Sequence, residues 1–561
     1  MTSIATQSHL ASLAPDHSTL ISRLQRDRIV ERIWERDHTV WHPDPTEISN
    51  RLGWLDSPVA MQEEIAAIDS AVAAVRADGF TYALLLGMGG SSLAPEVFRK
   101  VFGVRSGFLD LTVLDTTDPA AVRSHAERLE PARTLFIPAT KSGGTVETIS
   151  LLKYFYNRTQ DGVGDDKAGQ QFIAITDPGS GLAELAADLH FRHTFLNNSE
   201  IGGRYSALSL FGMVPAHLIG VDTTRLLDRA RIAADECRGH DANFGLHLGA
   251  AIASAAMAGR DKLTFLADAT LTPIGAWIEQ LIAESTGKEG KGILPVDGEP
   301  PGSADEYGDD RLFAYLRHDG EFDELFEQLC QAGHPVLRLD ISDDYDISGE
   351  FFRWEMATAI ASHCLGINPF DQPNVEAAKV VARTLTEAYI RDGELPQEKA
   401  IWSDDGLSCY GDVVGDSLSS ILRALIAGVD ESPSYFSIHA YLTPGDDIDD
   451  ALATIRAAVH KRDGIATTTG YGPRFLHSTG QLHKGDGGKG CFLQLTCDDA
   501  VDVQIPDSPG DNASAISFSV LKAAQASGDF QALQAAGRRV VRVHLGSDVR
   551  SGLERISAAL S

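Results

Sequence analysis

The stretch "YALLLGMGGSSLAPEVFRKVF" (82–102) sets the fold. An apolar run, then glycines and serines, then a helical pattern, reads as a strand, a turn and the start of a helix. Glycine lets a ligand approach the backbone, and a helix start offers free N–H groups and the positive end of its dipole. The turn is therefore expected to hold an anion, a phosphate above all. The same alternation continues in "LTVLD" (111–115), "TLFIPA" (134–139) and "FIAIT" (172–176). It implies a mostly parallel sheet with helices on both faces, whose ligands sit beyond the carboxyl ends of the strands.

Outward from this core, residues 1–75 carry helical periodicity and read as a helical preface. After a helical stretch (206–260), a second α/β pattern runs through "KLTFLAD" (262–268), "PVLRLDIS" (335–342) and the helical "FFRWEMATAIASHCLG" (351–366). The polar segment 391–412 has turn residues and little periodicity, and reads as a linker. Beyond it, "SYFSIHAYL", "GCFLQLT" and "RRVVRVHLG" are strand-like runs separated by helical ones. The expected fold class is α/β: a helical N-terminal segment (1–75), two doubly wound, mostly parallel domains (76–225 and 226–395), and an additional C-terminal α/β unit (396–561).

Lysine and arginine number 48 against 79 acidic residues in 561, a formal charge of −31. That balance argues against nucleic acid as a partner. Clusters such as "DDYD" (343–346) lack the spacing of a calcium loop and read as solvated faces. Six scattered cysteines without a CxxC pair fit a reducing cytoplasm, and no basic leader or long uncharged apolar run suggests secretion or a membrane span.

A second glycine-rich loop, "ATKSGGTVET" (139–148), again lies between a strand and a helix. Thr140, Ser142 and Thr145 offer hydroxyls, and Gly143 and Gly144 expose backbone amides. Taken alone, either loop is ordinary turn-and-cap chemistry; two at neighbouring strand ends make a phosphate cradle that needs no metal. A dinucleotide site is the rival, with Asp115 as the ribose acid, but Ser92 stands where the third glycine of GxGxxG belongs. In "IGGRYSALSLFG" (201–212), Arg204 follows two glycines and is free to point into the same crevice. In "WIEQLIAESTGKEGKGILP" (277–295), Glu284 lies near the carboxyl end of a helix, where the dipole raises the pKa of a proton-abstracting base. In "GINPFDQPNVEAAKVV" (366–381), prolines fix a loop and Lys379 follows inside a helix.

Together these stretches resemble the glucose-6-phosphate isomerase family, with its two sugar-isomerase domains, and the motifs occur in the family's order. The resemblance implies reversible isomerisation of glucose 6-phosphate and fructose 6-phosphate through a cis-enediolate, without cofactor or metal. Gly90, Ser91, Thr140, Ser142 and Thr145 would hold the phosphate. Glu284 would move the proton between C2 and C1, Arg204 would stabilise the oxyanion, and Lys379 with Gln372 would act on sugar oxygens. A homodimer is the assembly it suggests. A non-catalytic phosphosugar-binding module is the alternative from another class, and a nicotinamide-dependent dehydrogenase a third. The tail, with "GYGPRFLHSTGQLHKGDGGKG" (470–490), is similar to the isomerase half of bacterial transaldolase/isomerase fusions. The segment ahead of the first loop is too short for a transaldolase barrel of ~250 residues. Where the family has its ring-opening histidine, "DDRLFAYLRHDG" (309–320) offers Arg311 as the nearest match. Because guanidinium stays protonated, His477 or His483 of the tail is the expected replacement, with the tail segment folded over the sugar site.

Overall fold

The computed structural model describes residues 6–239, 243–396, 398–427 and 435–560. Strand β1 (Thr6–His9) is followed by helices Ala14–Arg26, Ile29–Trp34 and Ser57–Ala77. The first sheet then forms from β2 (Tyr82–Gly87), β3 (Asp110–Leu114), β4 (Thr134–Ala139), β5 (Ile173–Thr176) and β6 (His193–Leu196). Its order is β3-β2-β4-β5-β6 and all its pairings are parallel. Opposite β2, β4 keeps the register Gly87↔Ala139, so the two glycine-rich loops leave neighbouring strands at the same level.

The second sheet comprises β7 (Lys262–Ala267), β8 (Leu294–Val296), β9 (Arg311–Arg317) and β10 (Val336–Asp340), in parallel. Its edge is closed by β1, antiparallel to β10 with Thr6 opposite Leu339. The N-terminal segment is thus not helical throughout. Four residues of "TQSH" carry no periodicity of their own, and a distant strand edge decides their conformation.

The segment read as a linker also differs. Residues Trp402–Asp404 (β11) and Leu407–Gly411 (β12) form an antiparallel hairpin joined through Asp405 and Gly406, both at positive φ. Asp-Gly is a strong two-residue hairpin turn. The hairpin belongs to the third sheet, with β13 (Tyr435–Tyr441), β14 (Ala466–Tyr471), β15 (Gly490–Thr496) and, beyond the short pair β16 (Gln504–Ile505) and β17 (Ile516–Ser517), β18 (Arg539–His544). The order is β11-β12-β18-β15-β13-β14, parallel from β18 onward. The strand-like runs expected in the tail are β13, β15 and β18.

Five helices matter for the site: α1 (Val146–Val163), α2 (Thr272–Thr286), α3 (Glu376–Asp392), α4 (Gly480–Gly485) and α5 (Phe518–Ala535). One buried cluster runs from the N-terminal helices across both of the first two sheets. The third sheet has a core of its own but is not a loose appendage. Val503, Ile505, Phe518 and Leu521 are buried with Leu151, Leu152 and Phe155 of α1, while Tyr435, Phe492 and Phe530 are buried with Leu294 and Val296. Each such side chain contributes about 1.5–3 kcal/mol when buried, well above an exposed ion pair at ~0–1 kcal/mol. Apolar packing therefore fixes this unit against the body. Among the described residues, no helix is long and apolar enough to cross a membrane.

Candidate active site

The parallel register of β2 and β4 opens the two loops into one cavity of about 1010 Å³. Gly90, Ser91, Thr140, Ser142, Thr145, Arg204, Glu284, Gln372, Lys379 and His477 all line it. The glycines of the first loop serve a purpose the sequence reading missed. A Cβ on Gly90 would stand 1.8 Å from the carbonyl of Gly203, and one on Gly89, at φ +54°, would meet Gln280 and His477 at 2.7 and 2.8 Å. Their smallness lets protein backbone come close and brings Arg204 beside the loop. In the second loop, Thr140 and Thr145 share a hydroxyl hydrogen bond of 2.7 Å, and Thr145 caps α1 without bonding its amides through the side chain. The first turn of α1 thus faces the cavity with a hydroxyl pair at its entrance. Gly143 at φ +72° lies against Gly181 and Leu182, where only glycine fits.

Arg204 is buried and spends its donors widely. Nε gives to Ser285 Oγ (2.9 Å), Nη2 to the carbonyls of Pro369 (2.7 Å) and Asp371 (2.8 Å), and Nη1 to Gln372 Oε1 (2.9 Å). Nη1 also lies 3.1 Å from Glu284 Oε2. The proline loop is held from its other side by Lys288, whose Nζ donates to Asn368 O, Asp371 O and Asp371 Oδ1. Burial, with the nearby Arg204 charge, pushes Lys288 down to about 8 against the pull of Asp371.

Glu284 occupies the last turn of α2, as expected, with its side chain only 8% exposed. Gln280, one turn earlier, donates to Glu284 Oε2 at 3.2 Å and to the carbonyl of His477 at 2.9 Å. Both contacts on the carboxylate fall on Oε2, which leaves Oε1 to exchange a proton. The i, i+4 spacing of Gln280 and Glu284 is the signal by which Gln280 can be found from the sequence. Lys379 stands on the exposed side of the cavity, at the end of the first turn of α3, 3.8 Å from Glu376.

The tail segment does fold against the loops, and the two histidines part company. His477 lines the cavity, its Nε2 3.0 Å from Glu147 Oε1. A carboxylate can only accept here unless protonated, which puts the ring proton on Nε2 and makes Nδ1 the basic nitrogen. Glu147 in turn accepts from Gln525 Nε2 at 2.7 Å. Burial raises the Glu147 pKa, and His477 and Lys379 outweigh it, so the carboxyl lies below its ordinary value. His483 is a correction to the sequence reading: it lies in the interior of the C-terminal unit, stacked 4.7 Å from His439 and against Phe475 and Phe492, away from the cavity. Burial and the neighbouring His439 and Lys484 hold it well below the ordinary histidine value. The side of a short helix it falls on, set by tertiary packing, decided this.

Arg311, which matches the family's ring-opening position by order and is set aside there because guanidinium stays protonated, has a structural place instead. It is fully buried at the joint with the C-terminal unit, donating to Glu299 (2.8 and 3.3 Å) and Thr264 (2.8 Å), and does not reach the cavity. Asp115, the acid a dinucleotide site would need, is engaged by Arg474 at 3.2 Å and is absent from the cavity lining. Glu147, Gln280 and Gln525 are among the lining residues that sequence reasoning passed over.

The family model described as "Phosphoglucose isomerase" matches residues 59–292, the segment that carries both loops, Arg204 and Glu284. Over that segment the chain is similar to the phosphoglucose isomerase family. A glucose-6-phosphate isomerase of Rubrobacter xylanophilus is 29% identical over 358 residues, which is 54% of this chain and 82% of the relative. One from Carboxydothermus hydrogenoformans is 28% identical over 397 residues, 58% of this chain and 83% of the relative. Among solved structures, a hypothetical protein of Thermus thermophilus superposes with a TM-score of 0.59 at 22% identity, covering 68% of this chain and 99% of that one. A glucose-6-phosphate isomerase of Chlamydia trachomatis gives 0.51 at 17% identity, covering 69% and 86%. These structural likenesses speak for the fold.

Proposed function

We propose that the chain is a glucose-6-phosphate isomerase, interconverting glucose 6-phosphate and fructose 6-phosphate for glycolysis and gluconeogenesis. The observation that carries the reading is Glu284: a carboxylate with one oxygen held by Arg204 and Gln280, in one cavity with a hydroxyl-lined helix start. A phosphosugar sensor needs the second of these and has no use for the first. The matched family and its curated relatives support the same reading.

In this mechanism the substrate's phosphate binds at Ser91, Thr140, Ser142, Thr145 and the amides of the α1 start, which fixes the sugar by its far end. His477, with Glu147 holding Nε2–H, exchanges the proton between ring oxygen and O1 through Nδ1 and opens the ring. Glu284 Oε1 then takes the proton from C2 and returns it to C1, while the hydroxyl proton of O2 passes to O1, so that C2 becomes the carbonyl and C1 the alcohol. Arg204, fixed by its carbonyl partners, keeps Glu284 aligned and offsets the negative charge that develops on the enediolate oxygens. Lys379 and Gln372 stand where they can hydrogen-bond sugar hydroxyls. The six scattered cysteines, free where the structure describes them, lead us to infer a reducing cytoplasm as the place of action, and a homodimer stays part of the proposal, to be checked by sizing.

The test is a coupled assay with glucose, fructose and mannose 6-phosphates, followed by incubation of fructose 6-phosphate in D2O. Turnover of the glucose/fructose pair with deuterium entering the sugar at the exchanged carbons is the expected result. Binding of the sugar phosphates without turnover or exchange would make the protein a sensor.

A further inference from the structure

The wall that the C-terminal unit lends to the cavity carries a cation that the mechanism above leaves unused. Lys484, on α4, lines the cavity although its side chain is only 3% exposed. Its Nζ donates to Asp529 Oδ1 at 2.6 Å. Asp529, on α5, is fully buried, and its other oxygen accepts from His439 Nδ1 at 3.2 Å. Burial keeps His439 below its ordinary value despite Asp529, so the group consists of one cation, one anion and a neutral imidazole.

A buried ion pair is a poor way to fill space, because desolvating each charge costs several kcal/mol and apolar side chains of the same volume pack as well. Such a pair beside a cavity makes sense if the cation has a second partner. Its place within the cavity is set by the neighbours of α4. Gln481 Nε2 donates to the carbonyl of Gly287 at 2.8 Å and to Asn374 Oδ1 at 2.7 Å, and Leu482 fills the space beside Gly287, where a Cβ would stand 2.3 Å from Leu482 Cα. Gly287 directly follows α2, whose last turn carries Glu284. Helix α4 is thereby tied to the Glu284 end of the cavity, whereas the hydroxyl loops arise at the ends of β2 and β4.

We propose that Lys484 contacts the sugar oxygens at the reacting carbons, O1 and O2, and stabilises their negative charge in the enediolate, with Asp529 and His439 as positioning residues that fix its ammonium. The inference rests on the isomerase reading. An ammonium held in place before the reaction supplies stabilisation without reorganisation, and loss of one such group in an oxyanion site costs about 10²-fold or more in kcat.

The experiment measures steady-state isomerisation by the full-length wild type, Lys484→Met and Asp529→Asn, together with inhibition by inorganic phosphate and by a five-carbon aldonate 5-phosphate that mimics the enediolate. The expected result for Lys484→Met is a kcat reduced about 10²-fold, inhibition by the aldonate weakened at least tenfold, and inhibition by inorganic phosphate within twofold of wild type. Asp529→Asn keeps the ammonium but frees it to move, and is expected to show the same selectivity with a smaller loss; it carries the test alone if Lys484→Met does not fold. Unchanged kcat, or equal weakening of phosphate and aldonate, overturns the assignment. A wild type that fails to isomerise overturns the isomerase reading instead, while an active wild type with unaffected variants removes only the role of Lys484.

Discussion

Gly90 and Lys484 face the same cavity from walls built on different physics. On the side of Gly90, backbone and hydroxyls predominate: strand ends in register, loop amides, hydroxyls, and glycines that permit contact with Gly203, with one ion pair between Lys141 and Asp177. On the side of Lys484, the wall consists of buried charged and polar side chains that depend on one another, Lys484 on Asp529 and His477 on Glu147. The first kind of wall is sensitive to added volume. The second is sensitive to the loss of a partner. Glu284 stands between them, touched by Arg204, next to the Gly90 loop, and by Gln280, which also holds the His477 carbonyl.

The largest expected effect lies at that meeting point. Glu284→Gln should retain substrate binding by calorimetry and lower kcat by about 10⁴-fold, the scale of an essential general base; near-normal turnover would assign the base elsewhere. On the charged wall, His477→Ala should reduce turnover of cyclic glucose 6-phosphate about 10²-fold to 10³-fold. An open-chain analogue that needs no ring opening should be converted at close to the wild-type rate. Equal loss on both substrates would make His477 a structural residue and blur the distinction between the walls.

On the backbone wall, Gly90→Ala tests volume alone. The added methyl has to displace the Gly203 carbonyl, and overpacking of this kind costs about 1–3 kcal/mol. A lower melting temperature together with a raised KM is expected, and a variant indistinguishable from wild type would show that the approach to Gly203 is not needed. The smallest effect is a pH dependence at the seam of the charged side. Glu279, buried and close to Asp297, is pushed up to about 8, and burial pushes Asp297 up to about 6. Between the ordinary carboxyl values and these raised ones the folded chain holds protons that the unfolded chain has released, so stability falls as pH rises from the ordinary carboxyl range towards 8. Melting temperature followed over that range should decline, and Glu279→Gln should flatten the slope; a slope unaltered by the substitution would assign it to other groups.

The parts legible in the sequence were those encoded locally. Strands β2 and β4 announce themselves as apolar runs, the loops after them as glycine and hydroxyl clusters, and Glu284 as an acid at a helix end. Asp405 and Gly406 carry the signal of a hairpin turn, but it went unread because the polar residues around them made β11 and β12 look like a linker. What stayed hidden depended on distant contacts. Nothing within "RFLHSTGQLHKG" distinguishes His477, which meets Glu147 of α1, from His483, which meets His439 of the third sheet. Nor does the sequence reveal that the glycines at 89 and 90 yield to Gly203, Gln280 and His477. Arg311 aligned with a functional position by order alone, and its partners Glu299 and Thr264 make it part of a joint.

Strand β1 has a consequence for how the molecule is made. On a ribosome, Thr6–His9 is available several hundred residues before Val336–Asp340, the strand it pairs with through the register Thr6↔Leu339. Domains otherwise tend to fold as they emerge, yet the second sheet cannot finish its edge until this early segment returns to it, a long-range closure of the kind that slows folding. The nascent chain therefore carries its first strand unsatisfied while the first sheet is completed. The edge of β10 offers the same unpaired backbone groups to any neighbouring chain until β1 arrives, which makes this edge the place where co-translational assembly and misassembly compete.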